Sequence, residues 1–109
     1  MHEHHIVEKM VRDALAKAAD KHITAVRKVK VFLNETAGLE ESSVRLYFEE
    51  IAVSTILESA DLEIRTLPAQ LLCKKCNIVF TRRKGQFNCP KCNELASLLP
   101  SESFSIEIE

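Results

Sequence analysis

Cys73-Lys74-Lys75-Cys76-Asn77-Ile78-Val79-Phe80-Thr81-Arg82-Arg83-Lys84-Gly85-Gln86-Phe87-Asn88-Cys89-Pro90-Lys91-Cys92 contains all four cysteines of the chain, and its reading decides the rest. Two C-x2-C pairs stand twelve residues apart. Two residues between thiolates let one tight turn aim both sulfurs at a point, and two such turns facing each other close a tetrahedron around Zn²⁺. The competing reading is two disulfides or four free thiols. The paired spacing, and the absence of anything like a secretory signal in Met1-His2-Glu3-His4-His5, weigh against it. With sulfur on all four positions no place remains for an activating water, so a hydrolytic zinc is disfavoured.

Residues 69–92 contain no Asp or Glu but carry Lys74, Lys75, Arg82, Arg83, Lys84 and Lys91. Four thiolates around Zn²⁺ leave a local charge of about −2, which this basic cluster offsets. The same cluster, with Phe80 and Phe87 interleaved, supports an alternative reading: a zinc ribbon that grips nucleic acid, or a zinc-stabilised adaptor without any second metal. Against nucleic acid stand a net charge of −1 and an aromatic content of five Phe and one Tyr.

Outward from the ribbon the period changes. Before it, Leu62 and Ile64 alternate with Asp61, Glu63 and Arg65 from Ala60 until Pro68 ends clean pairing, which predicts a strand. After it, Phe104-Ser105-Ile106-Glu107-Ile108-Glu109 alternates strictly and predicts a half-buried final strand. Ile23 to Leu33 predicts another, with Val29, Val31 and Leu33 on the better buried face. Two stretches have helical spacing. Ile6, Val7, Met10, Val11, Ala14, Leu15 and Ala18 make an amphipathic helix over 6–19, closed by Lys21-His22, with His22 expected to cap its dipole. Val44, Tyr47, Phe48, Ile51, Ala52 and Thr55 make a second, from Glu40–Ser43 to about Leu57. Between them Asn34 and Gly38 are the residues tolerant of positive φ. The expected architecture is α+β: two helices on one face of a small three-stranded sheet, with an inserted zinc-ribbon module. Residues 1–68 plus 101–109 form the larger domain and 69–100 the module, which is too short to hold a fold without a metal.

At 109 residues, 46% hydrophobic and 28% charged, the chain is of globular composition and too short for a multi-domain enzyme. No apolar run approaches the roughly 20 residues that cross a bilayer, so the expected compartment is the cytoplasm, with no membrane partner. No Ser or Cys nucleophile has a base at motif spacing and no phosphate loop is present, so a non-enzyme is expected. Met1-His2-Glu3 is the second candidate site. The α-amine, the His2 imidazole and the intervening amides can wrap one ion in a plane of nitrogens, which suits Ni(II) or Cu(II) better than Zn²⁺. Glu3 can add an oxygen or hold the turn. His4 and His5 are candidate auxiliary ligands, weighed against ordinary surface residues. A solvated end or a tag remnant is the competing reading, and the helical pattern that begins at once, with Glu3 interrupting the histidines, argues against it.

Met1-His2-Glu3, the helix-strand-helix-strand order, the two C-x2-C knuckles with Pro90 after the third cysteine, and the alternating last strand together resemble the HypA/HybF family of hydrogenase nickel-incorporation proteins, over nearly the whole chain. The resemblance implies a nickel metallochaperone for [NiFe]-hydrogenase maturation, with nickel also serving urease in some members. It implies Ni²⁺ as transient cargo at Met1, His2 and Glu3, and one structural Zn²⁺ at Cys73, Cys76, Cys89 and Cys92. The implied partners are a GTPase of the hydrogenase maturation pathway, the hydrogenase large-subunit precursor and urease maturation proteins, with homodimerisation left open. Where the family reads Gly-Glu-Leu after its first strand, this chain reads Asn34-Glu35-Thr36, and the turn is expected to survive because Asn tolerates positive φ.

Overall fold

The computed structural model describes residues 2–83, 86–100 and 102–109, with His2 described by its backbone alone. Its elements are α1 (His2–Asp20), β1 (Lys28–Asn34), a 3-10 turn (Glu35–Ala37), α2 (Glu41–Ile51), β2 (Asp61–Leu67), β3 (Gln70–Cys73), β4 (Ile78–Thr81), β5 (Ser97–Leu98) and β6 (Phe104–Ile108).

Helix α1 buries Val7, Met10, Val11, Ala14 and Ala18, a stripe at three- and four-residue steps. Its end is closed by backbone geometry. His22 takes φ 56, and the His22 and Ile23 amides donate to the Ala19 and Ala18 carbonyls at 3.1 and 2.8 Å. This is a Schellman turn, and Ile23 packs on the core as such turns require. His22 therefore ends the helix through its left-handed backbone, in place of the expected dipole cap. The turn also uses up the first residues of the expected strand, so pairing begins at Lys28 instead of Ile23.

In β1 the burial alternates without exception: Val29, Val31 and Leu33 are fully buried, and Lys28, Lys30 and Phe32 are partly exposed. The sheet order is β2-β1-β6, with β1 parallel to β2 and antiparallel to β6. Val31 faces Ile64 on one side and Ile106 on the other. Parallel pairing of β1 and β2 needs a crossover, and α2 supplies it. Both helices contribute to one core cluster with the inner face of this sheet, Val44 and Phe48 entering from α2. The opposite face is a charge ladder in which Lys30 reaches Glu109 at 3.2 Å and Arg65 reaches Glu63 at 3.5 Å.

Two local expectations are corrected. Asn34 sits at φ −80, ψ 131 and uses its side-chain oxygen to accept from the Thr36 amide at 3.0 Å, so it caps the 3-10 turn, and the positive φ (+70) falls on Gly38. Helix α2 stops at Ile51 instead of Leu57. Ser54 adopts φ 67, and the Thr55 hydroxyl turns back to the Ala52 carbonyl at 2.6 Å. The tight turn still delivers Leu57 to the core, which is why its helical spacing was misleading.

Residues 70–98 hold a second sheet of order β4-β3-β5, all antiparallel. Among the described residues its buried apolar positions are Ala69, Leu71, Cys73 and Cys89, none of which joins the main cluster. The molecule is elongated, 52 × 29 × 19 Å with a radius of gyration of 16.8 Å, against about 13 Å for a spherical chain of this length. The two sheets are tied by the ion pair of Arg82, beyond β4, with Glu35, in the 3-10 turn after β1. The hydrogen bond from Arg82, aided by one from the Ala69 backbone, holds the Glu35 carboxyl below its ordinary range.

Candidate metal centre

Cys73 ends β3 and Cys76 follows in the turn to β4, while Cys89 and Cys92 lie in the loop that leads to β5. Each knuckle turns a backbone amide onto its first sulfur, from the third residue beyond it in the first knuckle and the second in the other. The Cys76 amide donates to the Cys73 sulfur at 3.4 Å, and the Lys91 amide donates to the Cys89 sulfur at 3.4 Å. Each knuckle is then followed by an asparagine in the left-handed region, Asn77 at φ 53 and Asn93 at φ 62. Asn93 donates its amide to the Cys89 carbonyl at 2.9 Å, and its own carbonyl accepts from the Asn88 side chain at 2.9 Å. The repeated C-x-x-C-Asn was present in the sequence, and its value lay in Asn's tolerance of positive φ. Asn93→Val should destabilise the ribbon by about 1–3 kcal/mol while Asn93→Gly is tolerated, measured by thermal unfolding of the zinc-loaded protein.

All four ligand sulfurs lie within 4.8 Å of one another. Cys73 and Cys92 are 3.6 Å apart and Cys76 and Cys89 3.9 Å, far beyond the roughly 2.05 Å of a disulfide. A tetrahedron with Zn–S bonds of about 2.3 Å has edges of about 3.8 Å, which these separations straddle. Electrostatics point the same way. Amide donors from Cys92 and Lys91 draw the Cys89 thiol down to about 7, whereas its hydrogen bond with Cys92, then burial, pushes Cys76 up to about 12. Four crowded thiols cannot all ionise by themselves, and a divalent cation at their centre removes that conflict.

Of the expected nickel residues, Met1 and the His2 side chain lie outside the described residues, and Glu3 is a partly exposed acid in the first turn of α1. The helix is already formed at His2, so its leading N–H groups have no partner within the helix. His4 and His5 both approach one Glu8 carboxylate oxygen, and His4 meets the Tyr47 ring of α2 edge-on. The basic cluster is partly committed. Arg82 pairs with Glu35 and lies over the Phe87 ring at 5.1 Å; Lys74, Lys75, Arg83 and Lys91 are exposed; Lys84 lies outside the described residues. The nucleic-acid alternative gains no support.

The HypA family model, described as hydrogenase/urease nickel incorporation, metallochaperone, matches residues 1–108. The hydrogenase maturation factor HypA of Caldanaerobacter subterraneus subsp. tengcongensis is 31% identical over 109 residues, covering 100% of this chain and 96% of that protein. The factor of the same name from Dehalococcoides mccartyi is 32% identical over 108 residues, covering 98% and 91%. The solution structure of the Ni metallochaperone HypA from Helicobacter pylori superposes with a TM-score of 0.73 at 21% identity, covering 97% of this chain and 96% of that one. This last likeness bears on the fold.

Proposed function

This chain belongs to the HypA family of hydrogenase/urease nickel-incorporation metallochaperones, and from that premise we propose that it carries one Ni(II) at its amino terminus for [NiFe]-hydrogenase maturation while the ribbon keeps a Zn²⁺ in place. Zinc identity is supported by the donor set: four thiolates at tetrahedral spacing, with no position left open. The ion supplies cross-linking and no chemistry, and the protein is not an enzyme.

The nickel would be held by the Met1 amine, the His2 imidazole and the unpartnered amides of the first turn, with Glu3 beside them. A planar set of nitrogens favours Ni(II) or Cu(II), and cellular supply then selects between them. A site on a helix end can be opened from outside by a recipient, unlike the thiol cage. The observation that carries the proposal is the match of the family model from residue 1 to residue 108, which includes both candidate sites.

The separate buried clusters and elongated outline support two units, residues 1–68 plus 101–109 for nickel and 69–100 for zinc. Membership implies partners in the maturation pathway. The proposed ones are its GTPase and the hydrogenase large-subunit precursor, with urease maturation proteins as a second destination. No helix among the described residues is long and apolar enough to cross a membrane, which agrees with a proposed cytoplasmic location.

Titration of Ni(II) into zinc-loaded protein with Met1 as the free terminus tests this. Uptake of one low-spin planar Ni(II) is expected, lost in His2→Gln with zinc retained. A bulky second residue keeps Met1 in place in that variant. Equal planar nickel uptake by both proteins would rule out the terminal site.

A further inference from the structure

We propose that His4, His5 and Glu8 form a second Ni(II) site, one helical turn in from the terminal chelate. The assignment rests on the nickel reading above and deepens it with a holding position for the same cargo.

Spacing places the three groups together. Glu8 is four residues from His4 and three from His5, so the carboxylate lies on the helix surface between the two imidazoles. The His4 Nδ1 is 3.1 Å and the His5 Nδ1 3.5 Å from the same Glu8 Oε1. In an octahedron with bonds of about 2.1 Å, neighbouring ligands stand about 3.0 Å apart. The His4 contact matches that edge and the His5 contact is about 0.5 Å longer, with Glu8 as the shared corner. Among the described residues only the four thiols already form a group mutually within 4.8 Å, so here the imidazoles must draw in around the ion.

The two histidines differ in freedom. His4 is held between Glu8 and the Tyr47 ring, whose centroid is 5.4 Å away at 87°. His5 is 85% exposed, and its ring can swing toward the ion without disturbing packing. One packed imidazole, a half-exposed carboxylate and one exposed imidazole make a donor set that can close on a cation and release it. Two imidazoles and a carboxylate suit a borderline cation such as Ni(II), with water on the remaining octahedral positions. The terminal chelate is a plane of nitrogens that includes deprotonated amides, so the two sites hold nickel in different spin states. This difference separates them experimentally. Ion pairs between histidine and glutamate on a helix surface would explain the distances without a metal, and would give none of the nickel signals below.

The experiment uses the zinc-loaded full chain with Met1 as its free terminus, titrated with Ni(II) by calorimetry and observed by proton NMR at the Tyr47 ring. Octahedral Ni(II) is paramagnetic and should broaden the Tyr47 signals, whereas planar low-spin nickel should not. The unaltered protein should take up two Ni(II), and His2→Gln should retain one that broadens Tyr47. The double variant His4→Ala/His5→Ala should keep the planar ion and lose the broadening. Glu8→Gln should weaken the second site by at least about tenfold. Absence of nickel uptake by His2→Gln, or uptake that leaves Tyr47 sharp, would overturn the second site while the terminal one stands. Broadening at Tyr47 with no planar species in any variant would support the second site and remove the terminal chelate instead.

Discussion

Withdrawing zinc with a strong chelator should unfold residues 70–98 and leave the α1–α2 unit folded. The ribbon's buried apolar positions among the described residues are Ala69, Leu71, Cys73 and Cys89, and two of these are proposed metal ligands. Val79, Phe87, Leu95 and Leu98 are 55%, 44%, 76% and 54% exposed, so little apolar surface is removed from water. A structural Zn²⁺ contributes about 10–16 kcal/mol to a small module, as much as the whole stability of an ordinary domain. The main core contains no cysteine and depends on Met10, Val31, Leu33, Phe48 and Ile106. Hydrogen exchange is the measurement: amides of Leu71, Leu72 and Val79 should lose protection in metal-free protein while those of Val31 and Leu33 keep it. Cys89→Ser should reproduce the result. Ribbon amides that stayed protected without metal would mean that apolar packing holds the module, and the zinc assignment would fall.

Acetylation of the Met1 amine should abolish the planar nickel species and leave zinc untouched. The acetyl group leaves His2, Glu3 and every residue of the fold in place, but it converts the chelating amine into an amide and supplies no new amine. Removing partners that merely orient a metal's ligands costs up to about 100-fold in affinity, and loss of a ligand itself should exceed that. The same chemistry sets the pH response. The amine and the imidazole must shed protons to bind, with ordinary values of about 7.7–8.0 and 6.5, so affinity in the unacetylated protein should fall as the medium is acidified. Calorimetry at mildly alkaline and mildly acidic pH, with and without the acetyl group, separates these effects. Identical planar uptake by the acetylated chain would show that the terminus is not the site.

Most of the fold was legible in the sequence because its signals are local. The alternation at Val29, Val31 and Leu33 and the stripe at Val7, Met10, Val11 and Ala14 follow from strand and helix geometry, and both emerged buried as expected. The misread boundaries share one cause. His22 and Ser54 take left-handed backbone without being glycine, and Asn34, which could have done so, did not. Hydrogen bonds such as that of the Thr55 hydroxyl with the Ala52 carbonyl, not residue preference, decided where α2 stopped.

The four cysteines show the division most clearly. Their spacing by itself determined that four sulfurs could meet, since two residues between cysteines fix the reach of each knuckle. It said nothing of Asn77 and Asn93, whose left-handed conformations complete the turns. Contacts between distant segments were beyond any local pattern. Arg82 meets Glu35 across 47 residues, and Tyr47 from α2 closes on His4 from α1. A linear pattern reports the preferences of neighbours in the chain. Which exposed side chains become neighbours in space depends on how the helices and the two sheets are placed, and only the tertiary structure decided that.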